Sequence, residues 1–104
     1  MKIKRRREKP TVRREEILNA AVHVACKLGY QSITRESVAN AAQTSCALVT
    51  RYFVTMDCLK RAVVDTAIER EILPIVAQVI SLGDKQTANI KNSLKQKVIA
   101  FIKG

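Results

Sequence analysis

The chain has 104 residues, of which 47% are hydrophobic and 4% aromatic, and it carries a formal charge of +10. That length suits one small domain with an aliphatic core and argues against a multidomain enzyme. The longest nearly uncharged apolar stretch, residues 72–82, falls well short of the ~20 residues that a membrane-spanning helix needs. We therefore expect no membrane partner.

The first element in chain order is a basic arm. Residues 1–14 hold eight Lys and Arg against one Glu, a net +7, whereas residues 15–84 have a net charge of −2 and residues 85–104 hold five Lys and no acid. Such charge blocks are commonly disordered and only solvated. Alternatively, Arg5, Arg6 and Arg7 form an arm that binds DNA, since each neutralised phosphate releases counterions and arginines also enter minor grooves.

Hydrophobic spacing predicts three helical segments in the next part of the chain. Residues 17–28 carry the apolar stripe of an amphipathic helix, which Thr11 is expected to cap. Thr34 caps a second, short helix. The polar residues 43–45 separate it from a third segment over residues 46–53. A longer helix followed by two short ones is therefore expected.

The second half of the chain is also predicted to be helical. Thr55 caps a fourth helix, which Pro74 must kink or end because proline lacks a backbone N–H. Residues 74–82 form an apolar fifth segment, and residues 83–84 stop that segment and cap the next. Spaced apolar residues over 90–102 predict a last amphipathic helix. No strand pattern competes, so the expected fold class is all-α.

Two short helices joined by a tight turn and backed by a longer helix form the layout of a helix-turn-helix. On that layout, residues 14–59 resemble the TetR family of bacterial transcriptional regulators without a gap. The matching positions, in order, are Ile17, Leu18, Ala20, Ala21, Gly29, Ile33, Thr34, Val38, Ala39, Ala42, Ser45, Tyr52, Phe53, Thr55, Asp57 and Leu59. The resemblance implies a TetR-like three-helix DNA-binding domain followed by two to three short C-terminal helices.

The chain departs from the family pattern at four points. Gln43 replaces the usual turn glycine, Val49 and Thr50 replace Leu and Tyr, and Met56 replaces a lysine that often meets phosphate. Only 45 residues follow Leu59, where most members add a longer ligand-binding and dimerisation domain. A small-molecule effector is not expected, because a pocket of ~300–1,000 Å³ requires more helices than this.

These patterns divide the chain into three parts. We expect a basic flexible arm over residues 1–10, a helix-turn-helix DNA-binding domain over 11–56, and C-terminal helices over 57–104. The apolar C-terminal segments either fold back to complete the core or remain exposed as an interface. We expect them to form a symmetric homodimer.

Several side chains of the predicted recognition helix are candidates for reading bases. We expect the inward side of this helix to be Val49 and Tyr52 or Phe53. Four residues should then point outward: Cys46, Ala47, Thr50 and Arg51. Arg51 is the first choice, because its fork pairs with guanine O6 and N7, although it is otherwise a solvated arginine. Ala47 and the Thr50 methyl suit a thymine methyl. Cys46 is either a small apolar filler or an oxidisable thiol.

Other candidates lie at helix starts. Thr34, Ser45 and Thr55 either donate to phosphate or act only as caps. The family resemblance implies a DNA contact for Arg35, and a phosphate contact with ring packing for Tyr52. His23 and the three unpaired cysteines lack metal-site spacing. With no nucleophile and no acid–base pair in the sequence, we expect no enzyme, no metal and no cofactor.

The sequence therefore predicts a cytoplasmic, sequence-specific transcriptional regulator. We expect a repressor that binds double-stranded DNA, at a palindromic operator, as a homodimer. Two alternatives remain at this point. One is an architectural protein that coats DNA with little sequence preference, and the other is a helical adaptor whose partner is another protein.

Overall fold

The computed structural model describes the backbone of residues 10–103 and the side chains of residues 13–103. Six α-helices follow one another in this region: α1 Pro10–Leu28, α2 Arg35–Ala42, α3 Cys46–Tyr52, α4 Met56–Arg70, α5 Leu73–Ser81 and α6 Asn92–Lys103. Short 3-10 turns lie at Tyr30–Ser32 and Lys85–Asn89. Residues 10–103 contain no strand, which confirms the predicted all-α class. None of these helices has both the length and the apolar character to cross a bilayer.

Three helices begin at the capping residues that the sequence predicts. The hydroxyl oxygens of Thr34, Ser45 and Thr55 accept a hydrogen bond from the backbone N–H of the third residue of α2, α3 and α4, at 3.0, 3.1 and 3.1 Å. Such caps satisfy donors that have no partner within the helix. The prediction for α1 is wrong: this helix already begins at Pro10, so Thr11 lies inside it. Proline is favoured there because the first turn needs no N–H.

The predicted course of the chain around Pro74 is also wrong. Helix α4 ends at Arg70, three residues before α5 begins, and Glu71 adopts a left-handed conformation with φ 56°. Pro74 instead occupies the first turn of α5, where its missing N–H costs no hydrogen bond. A single left-handed residue thus ends α4 without help from proline.

The connection from α5 to α6 contains an additional turn. The sequence pattern predicts Asp84 as a cap of the last helix. Its Oδ1 atom instead accepts from the Gln86 N–H at 2.9 Å and caps the 3-10 turn. Helix α6 begins only at Asn92. Ile90 is buried just ahead of α6 and extends the helix's inward stripe.

The helices share one apolar core. Helix α1 packs against α2 and α4, while α4 packs against α5 and α5 against α6. The largest side chains that are fully buried come from every part of this series: Ile17, Tyr30, Val38, Val49, Leu59, Val63, Val64, Ile75, Val76, Val79 and Val98. The C-terminal helices therefore bury apolar side chains in the same core as the first three.

Polar contacts also hold the C-terminal helices against α1 and α4. The Tyr30 hydroxyl donates to Asp84 Oδ2 at 2.9 Å, and the Tyr30 N–H donates to Gln78 Oε1 at 3.0 Å. Lys97 on α6 pairs with Glu71 at 2.6 Å. These contacts fix where α5 and α6 lie relative to the start of α2.

The last turn of α6 extends beyond the helix that it packs against. At 1.5 Å per residue, α6 is roughly 18 Å long and α5 roughly 13 Å, and the Lys97–Glu71 pair lies level with the start of α5. Phe101 and Ile102 continue the inward face of Leu94 and Val98, yet they are 48% and 60% exposed. Two of the five apolar positions in the predicted α6 stripe are therefore left exposed by residues 13–103, while Ile90, Leu94 and Val98 are buried.

Candidate nucleic-acid interface

A three-residue turn, 43–45, joins α2 to α3. Gln43 has φ 57°, the left-handed conformation that glycine adopts most easily, and its N–H donates to the Asn40 carbonyl at 3.2 Å. The Thr44 N–H donates to the Ala39 carbonyl at 2.9 Å. A non-glycine residue in this conformation costs about 1–2 kcal/mol. Gln43 therefore adopts a glycine-like conformation, at the position where the resemblance described above expects a glycine.

Helix α3 has one buried side and one exposed side. Val49 and Phe53 are buried, as predicted, while Tyr52 is half-buried and packs at the edge of the core. Ala47 and Arg51 are exposed. Because they are four residues apart, they lie on the same face of the helix. This face presents a guanidinium beside a small apolar side chain.

The predicted outward orientation of Cys46 and Thr50 is correct only in part. Both side chains are half-buried, and Cys46 contacts the core. The Thr50 hydroxyl donates to the Cys46 carbonyl at 3.0 Å, as hydroxyls inside helices often do. The three cysteines are free thiols, and Cys26 and Cys58 are more exposed than Cys46. This burial favours the apolar-filler interpretation of Cys46 over the oxidisable one.

Arg35 makes a contact that the sequence does not reveal. Its Nη2 atom donates to the Val54 carbonyl at 3.1 Å, so the first turn of α2 is bound to the connection between α3 and α4. Its Nε atom is buried without a hydrogen-bond partner. The guanidinium expected to contact DNA thus also fixes the segment that follows α3. The two residues are 19 positions apart, and no local spacing signals such a contact.

Arg14 makes a second contact at the C-terminal end of α3. Its guanidinium carbon lies 4.7 Å from the centroid of the Phe53 ring, within the range of a cation–π contact. This contact links α1 to the residue that follows α3. Together with the bond from Arg35 to Val54, it ties two successive residues after α3 to other helices. The charge pattern gives no separate signal for it, because Arg14 belongs to the run of basic residues at the chain start.

The structure brings some of the predicted site residues together and leaves others apart. Thr34 and Arg35 at the start of α2 lie near Thr55 at the start of α4, because Arg35 reaches the intervening Val54. Thr34 and Thr55 are exposed caps, and so is Ser45. Arg5, Arg6 and Arg7 lie outside the described residues. The site in residues 13–103 is thus a surface formed by two helix starts and one face of α3.

This surface carries little net charge. Residues 34–55 contain Arg35, Arg51 and Glu36 as their only charged side chains, a net +1. Most of the basic charge lies in residues 1–14 and 85–104. The positive charge of residues 34–55 is therefore confined to Arg35 and Arg51, and any general attraction to phosphates would have to come from the ends of the chain. No group of His, Cys, Asp or Glu in the described part of the chain has the geometry of a metal site.

The chain was compared with models of protein families, with curated proteins and with solved structures. None of the three comparisons gives a match. The candidate surface is therefore characterised by its own residues: an exposed Ala47–Arg51 face on α3 and the capped starts of α2 and α4.

Proposed function

We propose that this chain is a sequence-specific DNA-binding protein of the TetR type, in which α2 and α3 form the helix-turn-helix. Helix α3 enters the major groove, where Arg51 reads a guanine and Ala47 contacts a neighbouring base. Bound at an operator, the protein represses transcription by occupying the site. The basic arm adds affinity for phosphates.

The observation that carries this proposal is the geometry of α2, the turn and α3. Two helices of eight and seven residues are joined by a three-residue turn with a left-handed first residue, and α1 packs against the first of them, α2. The Ala47–Arg51 face of α3 is exposed. A helix presented in this way fits the width of the major groove.

The dimer belongs to the same proposal. Phe101 and Ile102 continue the buried stripe of α6 but are themselves exposed among residues 13–103, with Ile99 also exposed beside them. A second copy of α6 packed in a symmetric pair would cover these side chains. Two reader surfaces in one dimer would then contact two half-sites of a palindrome.

Selection of bound fragments from a pool of random duplexes tests this proposal. We expect recovered fragments to share an inverted repeat, and the purified repeat to bind at least ~10³-fold more tightly than random duplex at the same salt concentration. Recovery of fragments with no common sequence, together with equal affinity for all duplexes, would contradict it.

A second candidate function is favoured by the distribution of charge. Residues 1–14 and 85–104 together carry a net charge of +12, whereas residues 34–55 carry a net charge of +1. An architectural protein that coats DNA would hold phosphates through these ends and would need no base contacts. The selection distinguishes this protein from a specific regulator, because only the regulator would enrich a sequence.

A further inference from the structure

A groove lies beside α4, and none of its lining residues belongs to α3 or α6. Its walls come from the 3-10 turn after α1, the first two turns of α4 and the connection between α5 and α6. Its volume is about 400 Å³, which is within the range of small-molecule sites. Residues from three separate parts of the chain thus meet around one concave surface.

Hydrogen bonds hold the walls of this groove together. The Tyr30 hydroxyl donates to Asp84 Oδ2 at 2.9 Å, and the Gln86 N–H donates to Asp84 Oδ1 at 2.9 Å. The Gln86 side-chain amide donates to Asp65 Oδ1 on α4 at 2.5 Å. Burial raises the pKa of the Tyr30 phenol, and the Asp84 carboxylate acts in the same direction. Tyr30 therefore remains a neutral donor and the groove is formed in advance of any ligand.

The charged groups of the groove are not balanced. The basic lining residues are Lys60, Arg61 and Lys85, and the acidic ones are Asp57 and Asp84, an excess of one positive charge. Asp84 already accepts hydrogen bonds from the Tyr30 hydroxyl and the Gln86 N–H. None of the three cations has a carboxylate within 4 Å among residues 13–103. A concave site with an excess of unpaired cations attracts anions to it.

We propose that this groove binds a small organic anion with two or more negative charges, of the phosphate-ester or polycarboxylate class. Lys60, Arg61 and Lys85 hold the anionic groups, and the space beside them accommodates the rest of the molecule. The groove is larger than a single inorganic ion requires, which is why the ligand is organic. Because the groove is open, it does not need the additional helices that an enclosed effector pocket requires.

The proposal does not depend on DNA binding. The three cations lie outside residues 34–55, and a ligand on them contacts both α4 and the α5–α6 connection. Such a ligand binds the folded chain and not the unfolded one, so it raises the midpoint of thermal unfolding.

Titration of the full chain with citrate and, separately, with pyrophosphate tests the site, with amide NMR shifts as the readout and ionic strength held constant with NaCl. We expect saturable shifts at residues 57–61 and 83–86, with a Kd of about 1 mM or tighter for one or both probes. Saturation by pyrophosphate alone assigns the phosphate class, and saturation by citrate alone assigns the polycarboxylate class.

Two double variants, each of which removes two positive charges, provide the test and its matched control. Replacing Arg61 and Lys85, both exposed, by Gln should weaken binding about tenfold or more, since each removes a charged hydrogen-bond donor. Replacing Lys95 and Lys103 on α6 by Gln should leave the Kd within about twofold. Equal weakening in both double variants would overturn the proposal, and so would shifts that never saturate or that centre on α6. Unchanged unfolding midpoints without ligand verify that both variants are folded.

Discussion

Arg35 combines two roles that are usually separate. Its guanidinium is bound to the Val54 carbonyl, and it lies at the start of α2, where a DNA contact is proposed. A residue that only contacts DNA contributes nothing to the stability of the free protein. Because it fixes the α3–α4 connection, Arg35 contributes to stability, and under the proposed function it would also keep α3 in position for the groove of the duplex.

Substitution of Arg35 by Gln separates these roles. We expect the free energy of unfolding to fall by about 1 kcal/mol, because the Val54 carbonyl is deprived of a charged donor at a partly exposed site. Amide hydrogen exchange over residues 53–58 should become faster at the same time. The control is Arg51→Gln, which removes an exposed arginine from α3 and should leave both quantities unchanged. Equal stability of the two variants would show that Arg35 does not hold the connection.

Gln43 is the residue at which the turn is strained. Gln43→Gly should stabilise the protein by about 0.5–1 kcal/mol, since the relief of left-handed strain exceeds the entropy that glycine loses on folding. Asn40→Gly, at an exposed position inside α2, should instead destabilise it by about 1 kcal/mol. Chemical denaturation of the two variants measures both changes. A decrease in the stability of Gln43→Gly would contradict the observed conformation.

At the scale of elements, the sequence predicts the starts of α2, α3 and α4, but not the starts of α1 and α6 or the end of α4. Thr34, Ser45 and Thr55 are caps that act on their own neighbours, so local spacing identifies them. The end of α4 is set by Glu71 in a left-handed conformation that few side chains favour, and no turn residue indicates it. The start of α1 is earlier than predicted because Pro10 fits the first turn.

The candidate site likewise combines positions that local spacing predicts with contacts that only the folded chain reveals. The buried positions Val49 and Phe53 and the exposed positions Ala47 and Arg51 follow from helical periodicity, which the sequence displays. The Arg35–Val54 bond joins residues 19 positions apart, so only the folded chain reveals it. The groove beside α4 likewise requires three separate segments to meet, and hydrophobic patterns do not determine how loops converge.

Helix α6 carries the prediction for assembly. The double substitution Phe101→Ser and Ile102→Ser should convert the dimer to a monomer at micromolar concentration, because it removes the apolar stripe that a second copy would cover. Leu82→Ser, which also changes an exposed apolar residue, should leave the dimer intact. Sedimentation velocity measures both. Neither variant should be less stable as a monomer, since all three side chains are exposed. A wild-type chain that sediments as a monomer would contradict the dimer.

At the scale of the whole molecule, charge and recognition occupy different places. The net charge is +7 in residues 1–14 and +5 in residues 85–104, around a middle region of −2. Under the proposed function, the ends would supply attraction for any duplex, and the α3 face would supply the discrimination between sequences. Separate variants should change these two properties independently.

A variant of unchanged length, in which the six Lys and Arg among residues 2–9 become Gln, tests the contribution of the arm. We expect weaker binding to all duplexes by the same factor, and a salt slope shallower by about 0.9 for each phosphate that the arm no longer neutralises. The ratio between operator and random duplex should stay constant. A change in that ratio, with an unaltered salt slope, would show that the arm reads sequence and does not only bind phosphates.

The central claim is that the exposed face of α3 reads bases, and competition binding tests it most directly. The operator recovered by selection competes against random duplex for the wild type, for Arg51→Ala and for Arg61→Ala, an exposed arginine on α4. We predict that Arg51→Ala lowers the preference for the operator by about 10- to 100-fold, corresponding to the ~1–3 kcal/mol of one bidentate pairing with guanine, while Arg61→Ala retains it. An unchanged preference in Arg51→Ala would contradict the claim.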